Sequence, residues 1–402
     1  MQAIMIEKVI GKNTNLPRIA RIFFLDQESD AYFDELISQV DAALTQVKSL
    51  KILFEEIRKE FESNFYGYLD RNINKPPGRD YFINNLHILV TGRYLNLGDL
   101  LGIQYFWSSI EDMVRRWEDT RNKRFHKGSI YFFASYPAFY LEQIDKAFFL
   151  LHKAYEEDVK TQGTPTPDTP AFKTVSINED KGNALYGIVV NWANYLIELI
   201  DNYSLITNRK FSLYIFRDKF LKTPPSLDIL FSFTHTLVKF HYFDLTKDFS
   251  SQGVFPNLYK LNMLFDLVLV LDRKILFHVP EQEKNKKKYF IELGPFLLNQ
   301  ASLISDSNRY KTELVDLNDA IRKSSITFDK KVKDLLDHNY FYADGTKFSR
   351  LECDIALAYI IRNHSAHNID SFPVIGERFI DIRQSIFNGL FLAVETLQPI
   401  NS

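Results

Sequence analysis

Leu36, Val40, Ala43, Val47, Leu50, Phe54, Ile57 and Phe61 recur at alternating spacings of four and three, with no break between Ser29 and Phe65. Side chains at that spacing share one face of an α-helix, so the stretch specifies a long amphipathic helix with a stripe to bury. A core stripe in a helical bundle is favoured over a dimerising coiled coil. The signature returns along the chain in Trp107, Ile110, Val114 and Trp117, and in Leu141, Ile144, Phe148, Leu151 and Tyr155. It returns again in Val189, Trp192, Leu196 and Leu199, and in Phe379, Ile382, Ile386, Leu390, Ala393 and Leu397. Further helices are expected over Asp80 to Val90, from the N-cap Asp99 to Asp119, over Leu227 to Phe240 and over Leu258 to Leu271. Phe211 to Phe216 alternates in aromatics and reads as a short strand or a helix, ended by Pro224 and Pro225. No βαβ alternation occurs at the N-terminus. The expected class is all-α, with two helical bundles.

A chain of 402 residues holds two to three domains. Asn72 to Arg79, with Pro76, Pro77 and Gly78, is a turn signal. Lys160 to Thr174 is rich in Thr and Pro, a composition that builds no core, and reads as an exposed linker. The expected domains are therefore residues 1–159 and 176–402, joined by a linker over 160–175. Met1 to Ile10 carries Glu7 and Lys8 and lacks a long apolar region, so no cleavable signal peptide is expected. No apolar run approaches the length of a membrane span, and the single Cys353 fits a reducing cytoplasm and a core position. The formal charge of −2 argues against a protein that cradles a long RNA, but not against an enzyme that touches a few phosphates. Lys284, Lys286, Lys287 and Lys288 form a charge run that reads as a solvated loop.

The least ordinary stretch is the apolar run from Cys353 to Ile361, which turns abruptly into Arg362-Asn363-His364-Ser365-Ala366-His367. Ser349 and Glu352 form a capping box at its start. Leu351, Ile355, Ala358 and Arg362 share one face, so an arginine continues an apolar seam by one turn, and Asn363 and His367 stack on another. The same order of residues stands upstream as Arg121-Asn122-Lys123-Arg124-Phe125-His126, again one turn beyond an apolar seam. Each is followed by a segment containing Gly and Pro and then by a helix, which suggests an internal duplication. His364 is a secondary candidate, and Asp354 reads as a first-turn acid favoured by the helix dipole. No Gly-rich phosphate loop, His-Glu-x-x-His or zinc-spaced Cys/His cluster is present, so neither cofactor nor metal is expected.

Arg-Asn-x-x-x-His, present twice, resembles the signature of the HEPN family of metal-independent ribonucleases. The resemblance implies two such motifs facing each other in one composite cleft, cleaving single-stranded RNA to leave a 2′,3′-cyclic phosphate. It makes His367 and His126 the acid and base, Arg362 and Arg121 the phosphate clamps, and Asn363 and Asn122 the organisers of each pair. Histidine suits proton transfer near neutral pH, and the arginine fork suits phosphate oxygens. The expected function is an endoribonuclease of prokaryotic antiviral defence, CRISPR-associated or abortive-infection-like, acting on RNA and not DNA and without a membrane. The duplicated arrangement suggests one intramolecular site. The alternative is a homodimer, with the upstream motif serving as RNA-binding surface or as a decayed copy. Two further alternatives are a compact RNA-guided effector with paired motifs and a non-catalytic helical interaction protein.

Overall fold

The structure is a computed structural model that describes residues 27–72, 81–163, 167–246, 254–285, 287, 289–322, 325–365 and 373–397. Every element among them is helical, and the only extended pairing is an isolated bridge between Phe341 and Lys347. The chain is all-α, as its apolar spacing requires. No helix among the described residues is long and apolar enough to cross a membrane. The chain divides into two compact units, Met1–Thr174 with Asn178–Val189, and Val175–Ile177 with Val190–Ser402.

In the first unit the expected single helix over Ser29 to Phe65 is two, α1 (Gln27–Thr45) and α2 (Leu50–Asn72). Val47 takes φ 54° and is 83% exposed. The bonds Val47 N–H to Leu44 O (3.0 Å) and Lys48 N–H to Ala43 O (2.9 Å) close α1 in a Schellman turn. A β-branched residue is poorly suited to that conformation, so the break had no local signal. Its cause lies elsewhere in the chain. Asp99 accepts from Leu50 N–H (2.6 Å) and from Gly102 N–H (3.0 Å), so one carboxylate starts both α2 and α3 (Leu100–Arg121).

The helical segment before α3 contains a π-helical stretch, Leu86–Thr91, where Thr91 Oγ1 donates to His87 O (2.8 Å). His87 stacks on Phe133 at 4.0 Å and 9°, and burial pushes its imidazole down to about 4. After α3 come α4 (Gly128–Tyr140) and α5 (Ile144–Gln162). Pro137 lies inside α4, not in a loop. That helix is apolar all round, with Ile130, Tyr131, Phe132, Phe133, Ala138 and Phe139 buried, so it offers no period to read. The C-terminal part of the expected linker is likewise folded: Pro170–Val175 is a helix with Ala171, Phe172 and Val175 buried. Asn183 ties it down through Nδ2 to Thr174 Oγ1 (3.0 Å). The first unit therefore runs past residue 159. Pro76, Pro77 and Gly78 lie outside the described residues.

The principal helices of the second unit are α6 (Tyr186–Thr207, from Val190 onward), α7 (Leu227–Thr246), α8 (Val254–Phe277), α9 (Phe290–Gln300), α10 (Ser307–Ile321), α11 (Ser325–Leu336), α12 (Arg350–Ser365) and α13 (Phe379–Thr396). Phe211 to Phe216 contains no strand: Ser212 caps a short helix, Leu213–Phe216, which runs into a π-helical stretch, Arg217–Leu221. The alternating aromatics serve this winding, with Phe211 and Phe216 both packed on Phe391.

Helix α12 lies inside this unit, in contact with α8, α9, α10, α11 and α13. Its capping box forms as expected: Ser349 N–H donates to Glu352 Oε2 (2.7 Å) and Glu352 N–H to Ser349 Oγ (3.4 Å). Every residue from Leu351 to Ile361 is buried, Cys353 among them. Glycines allow the neighbours to close in. A Cβ at Gly294 would lie 2.9 Å from Ile355 Cγ2, and one at Gly389 would lie 3.0 Å from Ile355 Cδ1 and 3.1 Å from Leu271 Cδ2.

Asp354 is not a first-turn acid, since it sits one residue beyond that turn and is only 1% exposed. Asn388 Nδ2 donates to its Oδ2 (2.9 Å) and Ser385 adds a second bond, yet burial pushes the carboxyl up to about 6. A carboxyl with a raised native pKa stabilises the fold fully below its unfolded pKa, near 3.8, and loses that contribution as pH rises through about 6. Asp354→Asn removes the charge and keeps the shape. It is expected to raise stability at pH 7 by about 1–3 kcal/mol and to bring little gain at pH 4, as read from urea unfolding at the two pH values. An equal effect at both would show that Asp354 is not held in this state.

Candidate functional site

Helix α3 delivers the upstream motif. Arg121 is its last residue, and Asn122 follows in left-handed conformation (φ 48°, ψ 43°), its N–H returning to Glu118 O. Few side chains other than Gly tolerate that conformation, and asparagine is one of them. Arg121 meets Asp70 of α2 along one edge of its fork, Nε to Oδ1 at 3.1 Å and Nη2 to Oδ2 at 3.0 Å. Trp117 Nε1 also donates to Asp70 Oδ1 (3.1 Å). The hydrogen bond from Arg121 holds the Asp70 carboxyl below the usual carboxylate range. His126 lies in the loop beyond, its Nε2 3.1 Å from Asp158 Oδ1. The imidazole is packed over Gly128, where a Cβ would stand 2.5 Å from His126 Cε1.

The surrounding charges are paired as well. Arg115 meets Asp112, Arg116 meets Glu62, Arg124 meets Glu157 and Lys127 meets Glu118. Four of the basic side chains around this motif thus take part in ion pairs. All three motif residues therefore have local work: Arg121 clamps α3 to α2, Asn122 ends a helix and His126 joins the loop to α5.

Helix α12 delivers the downstream motif, and there the same letters have a different backbone. Arg362, Asn363 and His364 continue the helix, so Asn363 is no cap. Arg362 reaches α8, where its Nε donates to Asp272 Oδ2 at 3.0 Å. Its side chain is 25% exposed and that of Asp272 is 8% exposed. Among the described residues neither terminal nitrogen of Arg362 has a hydrogen-bond partner. The other carboxylate oxygen, Asp272 Oδ1, is buried and also without one. Burial pushes the Asp272 carboxyl above its ordinary range, and Arg362 and Arg273 pull it only part of the way back.

Asn363 Nδ2 donates to Asn318 Oδ1 of α10 (3.2 Å) and bonds the Tyr359 hydroxyl, which burial raises and this bond lowers. His364 is a core residue, edge-on to Phe328 of α11 at 4.4 Å and 71°. His367 lies outside the described residues. The structure thus brings Arg362 and Asn363 together at the end of one buried helix, each held by a partner from another.

Asp272 and Asn318 did not emerge from the sequence. Asp272 interrupts the apolar run Leu267 to Leu276 with Arg273 and Lys274, and Asn318 sits beside the stripe Leu314, Leu317 and Ile321. Each is a polar residue at a buried position, and that is the signal by which both could have been found. No family model, curated protein or solved structure matches this chain.

The left-handed turn at residue 122 separates a structural from a chemical asparagine. Asn122→Gly is expected to keep the fold within about 0.5 kcal/mol, whereas Asn122→Ala loses about 1 kcal/mol, measured by thermal melting. Equal stability of the two variants would contradict the capping role.

Proposed function

We propose that this chain is a HEPN-type endoribonuclease that cleaves single-stranded RNA in prokaryotic antiviral defence, with Arg362, Asn363 and His367 as its working residues. One observation supports this reading above the others. Arg362 is a half-buried guanidinium held through Nε alone, with no hydrogen-bond partner for either terminal nitrogen among the described residues. Those two nitrogens form the edge that matches a pair of phosphate oxygens.

The chemistry is an in-line transesterification. The 2′-oxygen attacks the adjacent phosphorus as its proton passes to a base. The bond from phosphorus to the 5′-oxygen breaks, and an acid protonates the leaving oxygen. His367 supplies proton transfer, Arg362 stabilises the charge that gathers on the phosphorane, and Asn363 organises the helix end beside them. A net charge of −2 suits a footprint of a few phosphates and disfavours a guide-bearing effector.

The resemblance implies that two motifs share a cleft. Because Arg121 clamps α3 to α2 through Asp70 and Asn122 serves as a helix terminator, both have structural work of their own, and we assign the second motif to Arg362 and His367 of a second copy. RNA cleavage with purified variants tests this. His367→Ala and Arg362→Ala are expected to lose at least about 100-fold in rate, His126→Ala to stay near wild type, and specific activity to fall on dilution. Arg362→Ala also strands Asp272 and is expected to cost about 1–3 kcal/mol of stability, so His367→Ala is the cleaner of the two. Unaltered cleavage by the double variant Arg362→Ala/His367→Ala would end the ribonuclease reading. Loss in His126→Ala equal to that in His367→Ala would end the assignment to a second copy.

A further inference from the structure

Asp70 and Asp272 both pair with the arginine of an Arg-Asn-x-x-x-His motif, and they do it differently. Asp70 meets Arg121 at two points and uses its Nε–Nη2 edge completely. Asp272 meets Arg362 at Nε only, through Oδ2, and its Oδ1 is buried with no hydrogen-bond partner among the described residues. A buried carboxylate oxygen with no donor is costly. What the single-point contact achieves is orientation. With Nε fixed, rotation of the guanidinium is limited, and among the described residues neither Nη1 nor Nη2 has a hydrogen-bond partner, so the edge they form can take an anion.

The helix that carries Asp272 is closely packed beside it. Its neighbour Leu271 lies against Gly389 of α13 beside Ile355 of α12, so α8, α12 and α13 meet one residue away. The groups that bear on its charge are Arg362 from α12 and Arg273 from α8. Burial acts against ionisation and the two guanidiniums favour it, which ties the charge of Asp272 to the presence of Arg362.

From this geometry, and resting on the ribonuclease reading above, we infer that Asp272 is a positioning residue. It holds Arg362 by Nε so that the Nη1–Nη2 edge faces the scissile phosphate of the RNA. It touches no substrate itself. The distance from Nε to the acceptor matters more than the negative charge, because an amide oxygen in the same place can accept the same bond.

Three variants of the full-length chain test this against Arg362→Ala, with folding checked by circular dichroism melts. The readouts are kcat for an RNA oligonucleotide and Kd for its non-cleavable form carrying 2′-deoxyribose at the scissile position. Asp272→Ala and Asp272→Glu, the second of which shifts the acceptor by about 1 Å, are expected to lower kcat by roughly 10–100-fold. Asp272→Asn, which keeps the acceptor in place, is expected to retain most of the rate. All three should bind the deoxy oligonucleotide within about threefold of wild type, and Asp272→Ala should add nothing to the loss already caused by Arg362→Ala. Wild-type kcat in folded Asp272→Ala or Asp272→Glu, with Arg362→Ala inactive, would overturn the role of Asp272 and leave the ribonuclease reading standing. Wild-type cleavage by Arg362→Ala would overturn both. If Asp272→Ala fails to fold, the comparison of Asp272→Glu with Asp272→Asn decides alone, because a purely structural charge would favour Glu over Asn.

Discussion

A helix that is buried on every side has no solvent face on which to place a polar group, and α12 meets this constraint over eleven consecutive residues, Leu351 to Ile361. Five other helices contact it, and two of them approach closely at glycines, Gly294 and Gly389, where a Cβ would crowd Ile355. Polar groups can enter only at the ends or in pairs. At the start, Ser349 and Glu352 satisfy each other and Tyr342 donates to Glu352. In the middle, Asp354 is held by Asn388. At the far end the apolar face gives out at Arg362, where Asp272 and Asn318 receive the first two residues of the motif. Arg362 and Asn363 are placed by this geometry, because a group at the end of such a helix is held by the packing of the helices around it.

Identical letters do not make identical sites. Both motifs read Arg-Asn-x-x-x-His and both follow an apolar seam. Upstream, α3 stops at Arg121 and Asn122 turns left-handed, which carries His126 off the helix and toward Asp158. Downstream, α12 continues through Asn363 and His364 to Ser365. The difference comes from partners rather than from sequence. Asp70, Glu157 and Asp158 face the upstream stretch with carboxylates, while the downstream one meets one carboxylate, Asp272, together with the amide of Asn318 and the ring of Phe328.

Features set by neighbours in the chain could be read in advance. The capping box at Ser349, the cap at Asp99 and the buried run ending at Ile361 each depend on residues within a turn or two. Features set by distant neighbours could not. Val47 breaks a continuous apolar stripe because Asp99, 49 residues from Leu50, starts a new helix there. Arg362 finds its acid 90 residues away. Phe211 to Phe216 fits both a period of two and a short helix, and only its packing on Phe391 separates them. The folded Pro170–Val175 shows the limit of composition, since Thr and Pro cap and start a helix as readily as they extend a linker.

In the proposed reaction Arg362 and His367 drive attack by a 2′-hydroxyl on its own phosphate. The most direct measurement is the chemistry of the new 3′ end after cleavage of a 5′-labelled RNA in excess chelator. A 2′,3′-cyclic phosphate is expected, with a 5′-hydroxyl on the other fragment and no cutting at a 2′-deoxy position. A free 3′-hydroxyl, or cleavage abolished by the chelator and restored by magnesium, would contradict it.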